Sequence, residues 1–324
     1  MALKRMNARP LVVVSLILLS SFSLAFAQEY PTRSITVIVN AAPGGPSDII
    51  ARGLAEHASK ALGQPVVAVN RSGGGGTVGV NEMVRAKPDG YTIGTINMPA
   101  LAVMPHMQRV PYDPLKDVAH ICVLQPYEYG IYSKADAPWN SLKELVEYAA
   151  KNPGKVFYGS GGVGSTNHLI MVRLGLEHNL NWKHVTYGGD AEVLTAMLGG
   201  HVQAASGTSP TTLPHLRGGK VKLLVVTNKD RWPYVPEVPT LLELGYKFYQ
   251  SSFLSLGAPA GIPEPVRAKL EDTFRKILQD PAVKEQFQTK LYARLNYMSG
   301  ADYGKYIREE FAFYKDFLKQ QGIQ

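Results

Sequence analysis

One cysteine in 324 residues excludes an intrachain disulfide framework. That residue, Cys122, lies in the apolar run Ile121 to Leu124, where a small buried hydrophobe is the expected role rather than a nucleophile. Charge is sparse at 19%, and the eight histidines show no paired spacing for a metal. No Gly-x-Ser-x-Gly elbow, His-Glu-x-x-His pair or Gly-Lys-Ser/Thr phosphate loop occurs. The chain is therefore not expected to be an enzyme, and no cofactor, metal or catalytic residue is assigned. Beyond the first 27 residues no apolar run is long enough to cross a bilayer, which needs about 20 residues.

The chain does have an apolar content of 45%, enough for a full core in about two domains. Its 31 glycines and 22 prolines follow no period, so many turns and loop-borne sites are expected. The net charge of +8 includes Lys4, Arg5 and Arg9. These precede the apolar run Leu11 to Leu19, and Ala25-Phe26-Ala27 closes the segment before Gln28-Glu29. This is the layout of a cleavable export signal, cut after Ala27. The remaining lysines and arginines are scattered rather than clustered with aromatics, so no nucleic-acid face is expected.

Short β-branched runs alternate with amphipathic stretches. Ile35 to Val39, Val66 to Val69 and Tyr91 to Ile96 read as strands, separated by helices through Ile50-Leu54-Ala58 and Val80-Met83. That alternation predicts βαβ units on parallel sheet. A second series follows a capping box at Ser141 and Glu144: strand Val156 to Tyr158, helix Thr166 to Glu177, strand Lys183 to Tyr187, helix Ala191 to Leu198, then strands Val202 to Ala205 and Val221 to Thr227. Three helices close the chain after a strand near Ser252 to Ala258, and they are expected to return to the first lobe. Crossing segments near 124 to 130 and 245 to 252 would join the lobes and leave a ligand cleft between them. The expected division is a signal at 1–27, domain I from 28–125 plus 248–324, and domain II at 126–247.

Pro43-Gly44-Gly45-Pro46-Ser47-Asp48 lies between a predicted strand and a predicted helix. Backbone amides and the positive helix end would hold an anion there. The alternative is a tight turn with Ser47 or Asp48 as an N-cap, and Asp48 reads more readily as a cap than as a ligand. Tyr158 to His168 repeats the design. Ser160, Gly161, Gly162, Gly164, Ser165 and Thr166 are its candidate binding residues. His168 either caps its helix or faces the cleft; Asp190 either caps the next helix or binds an amine or hydroxyl. Asn97, Thr208 and Ser209 follow predicted strands, where each either faces the cleft or serves as a turn residue. Ser72 to Thr77, a third glycine-rich loop, is expected to be a structural turn. Gly159-x-Gly161-x-x-Gly164 also matches a dinucleotide fingerprint, but the acid nearest the end of the next strand, Asp190, is displaced past Gly188-Gly189. An exported dinucleotide-binding protein or enzyme using this loop is the alternative function.

Taken together, Pro43-Gly44-Gly45-x-x-Asp48, Leu62-Gly63-Gln64-Pro65, Pro88-Asp89-Gly90-Tyr91-Thr92, Pro111-Tyr112-Asp113-Pro114, Tyr187-Gly188-Gly189, Leu198-Gly199-Gly200 and Ala258-Pro259-Ala260-Gly261 resemble the tripartite tricarboxylate transporter substrate-binding proteins, the Bug receptor family. The likeness runs over essentially the whole mature chain. It implies an α/β fold of two domains, a periplasmic binding protein of the type II kind: two sheets with flanking helices and a ligand cleft between lobes. It also implies a monomer in the periplasm that closes on a small carboxylate and delivers it to integral membrane permease subunits. The implied ligands are di- or tricarboxylates, amino acids or aromatic acids, gripped by the loops at 40 to 48 and 158 to 168. Asn40-Ala41-Ala42 and Phe253 depart from the aromatic and the tryptophan frequent in the family, which leaves the pocket wall undefined.

Overall fold

The computed structural model describes residues 30–323; the export signal and its cut after Ala27 lie outside them. The first unit is β1 (Ile35–Val39), α1 (Pro46–Leu62), β2 (Val66–Asn70), α2 (Thr77–Val84) and β3 (Thr92–Asn97), followed by the short helices α3 (Met98–Ala102) and α4 (Met104–Met107). Helix α1 begins with Pro46, whose ring presets the helical φ, and buries Ile50, Ala51, Leu54, Ala55 and Ala58 along one face. Gly63 ends it at φ 66°, a left-handed conformation that glycine adopts without a Cβ clash.

Strand β4 (Val118–Pro126) then leads into β5 (Tyr129–Lys134), and α5 (Leu142–Lys151) follows. The Ser141 hydroxyl accepts from the Glu144 N–H at 3.2 Å, while the Glu144 carboxylate reaches back to the N–H of Asn140 at 2.7 Å, one residue beyond the usual partner. The second unit is β6 (Phe157–Ser160), α6 (Thr166–Glu177), β7 (Lys183–Thr186), α7 (Asp190–Leu198), β8 (Ala204–Thr208), α8 (Ser209–Arg217) and β9 (Val221–Val226). The chain closes with β10 (Phe253–Pro259), α9 (Glu264–Gln279), α10 (Pro281–Lys290), β11 (Met298–Ser299) and α11 (Gly300–Gln321).

Two sheets result, ordered β11-β4-β10-β3-β1-β2 and β7-β6-β8-β5-β9. They are mixed, not parallel throughout as the alternation predicted. β1 pairs parallel with β2 and β3, and β6 with β7 and β8. β10 and β5 run antiparallel to both of their long neighbours. The reason is the chain path. β5 enters its sheet directly from β4 of the other sheet, and β10 enters from beyond β9, so each continues through the crossover instead of returning by a helix. The two crossovers touch: the Tyr127 N–H donates to the Ser252 carbonyl at 2.8 Å, and Asn228 Nδ2 donates to the Tyr127 carbonyl at 2.7 Å.

Cys122 is fully buried in the first sheet's core, and burial pushes its thiol pKa up. The closing helices pack on the first sheet, with Tyr303, Ile307, Tyr314 and Leu318 of α11 buried beside β4 and α3. Among the described residues no helix is long and apolar enough to cross a membrane.

Candidate functional site

Helices α1, α2, α6, α7 and α8 each follow a strand, and their N-cap residues Gly45, Gly76, Ser165, Gly189 and Thr208 all line one cleft of about 510 Å3. This is the carboxyl end of the parallel strands, where α/β sheets place ligands. Four of the five caps offer no side-chain acceptor to the first N–H groups; only Ser165 does, accepting from the His168 N–H at 3.2 Å. The cleft therefore receives the positive ends of several helices, although Pro46 and Pro210 bring no N–H and the Ser209 N–H donates to the Glu128 carbonyl at 3.0 Å. No lysine or arginine is among its lining residues.

On the first lobe, Asn40 Nδ2 donates to Asn97 Oδ1 at 3.2 Å, and Asn97 Oδ1 also accepts from the Ala100 N–H at 3.3 Å. Gly76, at φ 99°, fits against this pair because a Cβ there would come within 2.6 Å of Asn40 Nδ2. The Ser47 and Tyr127 hydroxyls lie 2.6 Å apart, tying the first glycine-rich loop to the crossover. Asp48 sits behind that loop. It accepts from the Gly44 N–H at 2.9 Å and Asn70 Nδ2 at 2.9 Å and pairs with Arg52 at 2.8 Å.

On the second lobe, Ser160 Oγ lies 2.6 Å from His184 Nε2 and accepts from the Gly162 N–H at 3.3 Å, bracing the loop from below. His168 packs against His184 with ring centroids 4.2 Å apart and the planes tilted by 37°, and burial, then the neighbouring His184, lower its pKa to about 4. Asp190 begins α7. Its Oδ1 accepts from Asn167 Nδ2 at 2.6 Å and its Oδ2 from Thr208 Oγ1 at 3.5 Å. Burial raises its pKa to about 6 against the lowering effect of those two bonds.

The sequence pattern of the "Tripartite tricarboxylate transporter family receptor" family matches residues 50–323. The chain belongs to that family. A UPF0065 protein of Cupriavidus necator is 36% identical over 299 residues, covering 92% of this chain and 90% of its own. The periplasmic binding protein BugD superposes with a TM-score of 0.85 at 31% identity, covering 91% of this chain and 99% of its own. Two Rhodopseudomonas palustris structures are similar at 28% identity: Rpa4515 with adipate, TM-score 0.86 over 90% of this chain and 98% of its own, and MatC with bound malate, TM-score 0.82 over 89% and 99%. The fold is thus the two-lobed α/β architecture of the tripartite tricarboxylate transporter receptors.

Within this receptor, ten of the sequence-predicted residues line the cleft: Gly45, Pro46, Ser47, Asn97, Gly161, Gly162, Ser165, Thr166, Asp190 and Thr208. Pro43, Gly44, Asp48, Ser160, Gly164, His168 and Ser209 lie outside its lining. Asp48 is not a cap, because Gly45 holds that place, and Asp190 is not one either, because Gly189 does. Ser209 turns to the crossover, with its Oγ 3.0 Å from Glu128 Oε2 and 2.8 Å from the Tyr292 carbonyl.

The loop at 72–76 is more than the expected turn, since all five residues line the cleft. Tyr127, Tyr129, Gln108 and Asn167 line it too without having been singled out. The tyrosines stand at the crossover itself, a position the strand pattern marked without naming its side chains. The dinucleotide alternative is not favoured. Gly159 lies inside β6, where a Cβ would come within 2.9 Å of Val193, so its bareness serves packing.

Proposed function

We propose that the chain is an extracytoplasmic solute receptor that captures a small organic carboxylate in this cleft and, closed, presents it to integral membrane permease subunits of a tripartite tricarboxylate transporter. The observation that carries the reading is the convergence of five helix N-termini on a cleft with no lysine or arginine in its lining. Oriented amides stabilise an anion while leaving it free to exchange, whereas a buried guanidinium would hold it more firmly. The adipate and malate held by the R. palustris relatives support the same ligand class. No bond is made or broken in this reading.

Capture proceeds by movement of 28–125 with 248–324 against 126–247, and the crossovers at Tyr127 and Ser252 are the pivot. The receptor works in the periplasm as a monomer after cleavage behind Ala27. A thermal-shift panel on mature protein refolded to strip bound solute tests the reading, with small-angle scattering alongside. A carboxylate at 100 times its dissociation constant adds about 2.7 kcal/mol of stability and should reduce the radius of gyration. A shift confined to nucleotides, with none from any carboxylate, would overturn it.

A further inference from the structure

Asp190 is the one charged side chain among the residues lining the cleft. It stands where the N-termini of α6, α7 and α8 meet: it begins α7, Thr208 is the N-cap of α8, and Asn167 lies in the first turn of α6. The second lobe therefore already carries its own anion at its most anion-attracting point. The first lobe has none inside the cleft, because Asp48 faces Arg52 and Asn70 behind the loop. A second observation points the same way. Asn167 is only 5% exposed and lines the cleft, yet its Oδ1 has no hydrogen-bond partner. Its Nδ2 is committed to Asp190, so the group left over is an acceptor. A buried acceptor left without a donor destabilises the fold, and a ligand donor would relieve that.

Resting on the carboxylate reading above, we propose that Asp190 and Asn167 Oδ1 form a subsite for a ligand ammonium group, so that the preferred solute is an amino carboxylate whose carboxylate lies toward Gly45, Gly76 and Asn97. Hydroxy acids, which donate one hydrogen bond and carry no positive charge, come second. Plain diacids come last, because their second carboxylate meets an aspartate and a carbonyl oxygen with no cation between them. The other ionisable groups around Asp190 do not supply that cation. Tyr127, Tyr129 and Tyr132 couple to it as neutral phenols whose pKa values burial raises. Glu192, on the same helix, is tied to the Gly188 N–H at 2.9 Å, and His168, beside Asn167, turns to His184.

The test is isothermal titration of ligand-stripped protein with two matched sets, L-aspartate, L-malate and succinate, then L-2-aminoadipate and adipate, on wild type, Asp190→Asn and Asn167→Leu. Wild type should bind the aminated member of a set at least tenfold more tightly than its plain counterpart. Asp190→Asn should remove that preference by weakening the amino acid while leaving the plain acid equal or tighter. A proton readout accompanies it. At pH 6, where wild-type Asp190 is partly protonated, an ammonium ligand should release protons, seen as a dependence of the binding heat on buffer ionisation enthalpy, and Asp190→Asn should show none.

Tighter binding of plain diacids by wild type, or an unchanged amino-to-plain ratio in Asp190→Asn, overturns the subsite while leaving the carboxylate reading standing. Failure of every carboxylate to bind wild type overturns both. Should Asp190→Asn unfold, Asn167→Leu carries the test, and an unchanged ratio there is equally fatal.

Discussion

Asp48 and Asp190 each stand in the first turn of a helix that opens on the cleft, one in each lobe, Asp48 three residues past its N-cap and Asp190 one. Their surroundings differ. Asp48 is held by Arg52, Asn70 and the Gly44 amide, outside the cleft lining. Asp190 has only the neutral Asn167 and Thr208 and lines the cleft. The same residue type thus braces one wall and gives chemical character to the other. The deciding factor is whether a cation and a backbone donor lie within reach, since a carboxylate so satisfied is structural and one left with neutral partners remains available.

The largest effect should follow from removing the braced aspartate. Asp48→Ala takes three partners from the 41–48 loop and should cost on the order of 2 to 3 kcal/mol in urea unfolding; a loss within 0.5 kcal/mol would break the contrast. Next comes Gly161→Val, whose Cβ would come within 3.3 Å of Gly189 Cα and push two cleft-lining loops apart. Carboxylate affinity measured by titration should fall at least tenfold with little change in unfolding free energy.

Smaller still is Asp190→Asn without ligand. The folded carboxyl keeps its proton up to about pH 6, whereas an unfolded aspartate loses it near pH 4. Ionised burial therefore penalises the fold above pH 6, and that penalty fades as pH falls from 6 toward 4. The variant should be more stable than wild type by about 1 kcal/mol at pH 7.5, with the difference vanishing near pH 4. A difference independent of pH would break the contrast from the side of Asp190. The smallest effect is expected from Ser160→Ala, which removes the 2.6 Å bond to His184 beneath the second loop; about 0.5 to 1 kcal/mol should be lost, with ligand preference unaltered.

Much of the fold was legible from periodicity. The strands at 35–39 and 66–70 and the helix at 166–177 stand where the alternation of short β-branched runs with a longer apolar-periodic stretch put them. Helix α8 is not legible in the sequence, since Pro210 and Pro214 argue against a helix; Pro210 falls in its first turn and Pro214 is tolerated inside it. Strand β8 was placed too early because Ser206-Gly207-Thr208 resembles a turn, whereas Gly207 is bare to admit the Tyr132 ring, which a Cβ would approach within 2.7 Å. Within the site, the glycine-rich loops were readable as places where backbone amides could face a ligand. The tyrosines at 127 and 129 and the orphan acceptor of Asn167 were not, because nothing in local spacing says which side chains a crossover or a helix turn aims at another lobe.

The sequence by itself determined the α/β alternation, the two lobes, the receptor family and the glycine-rich loops that line the cleft. Those properties rest on local rules: hydrophobic period, helix punctuation and the conformational freedom of glycine. Only the tertiary structure decided that β5 and β10 run antiparallel in the sheets they enter, that five helix starts share one cleft, and that of two similarly placed aspartates one is neutralised and the other left open. Each of those depends on distances between segments far apart in the chain, and electrostatic environment is a property of such distances, not of residue order.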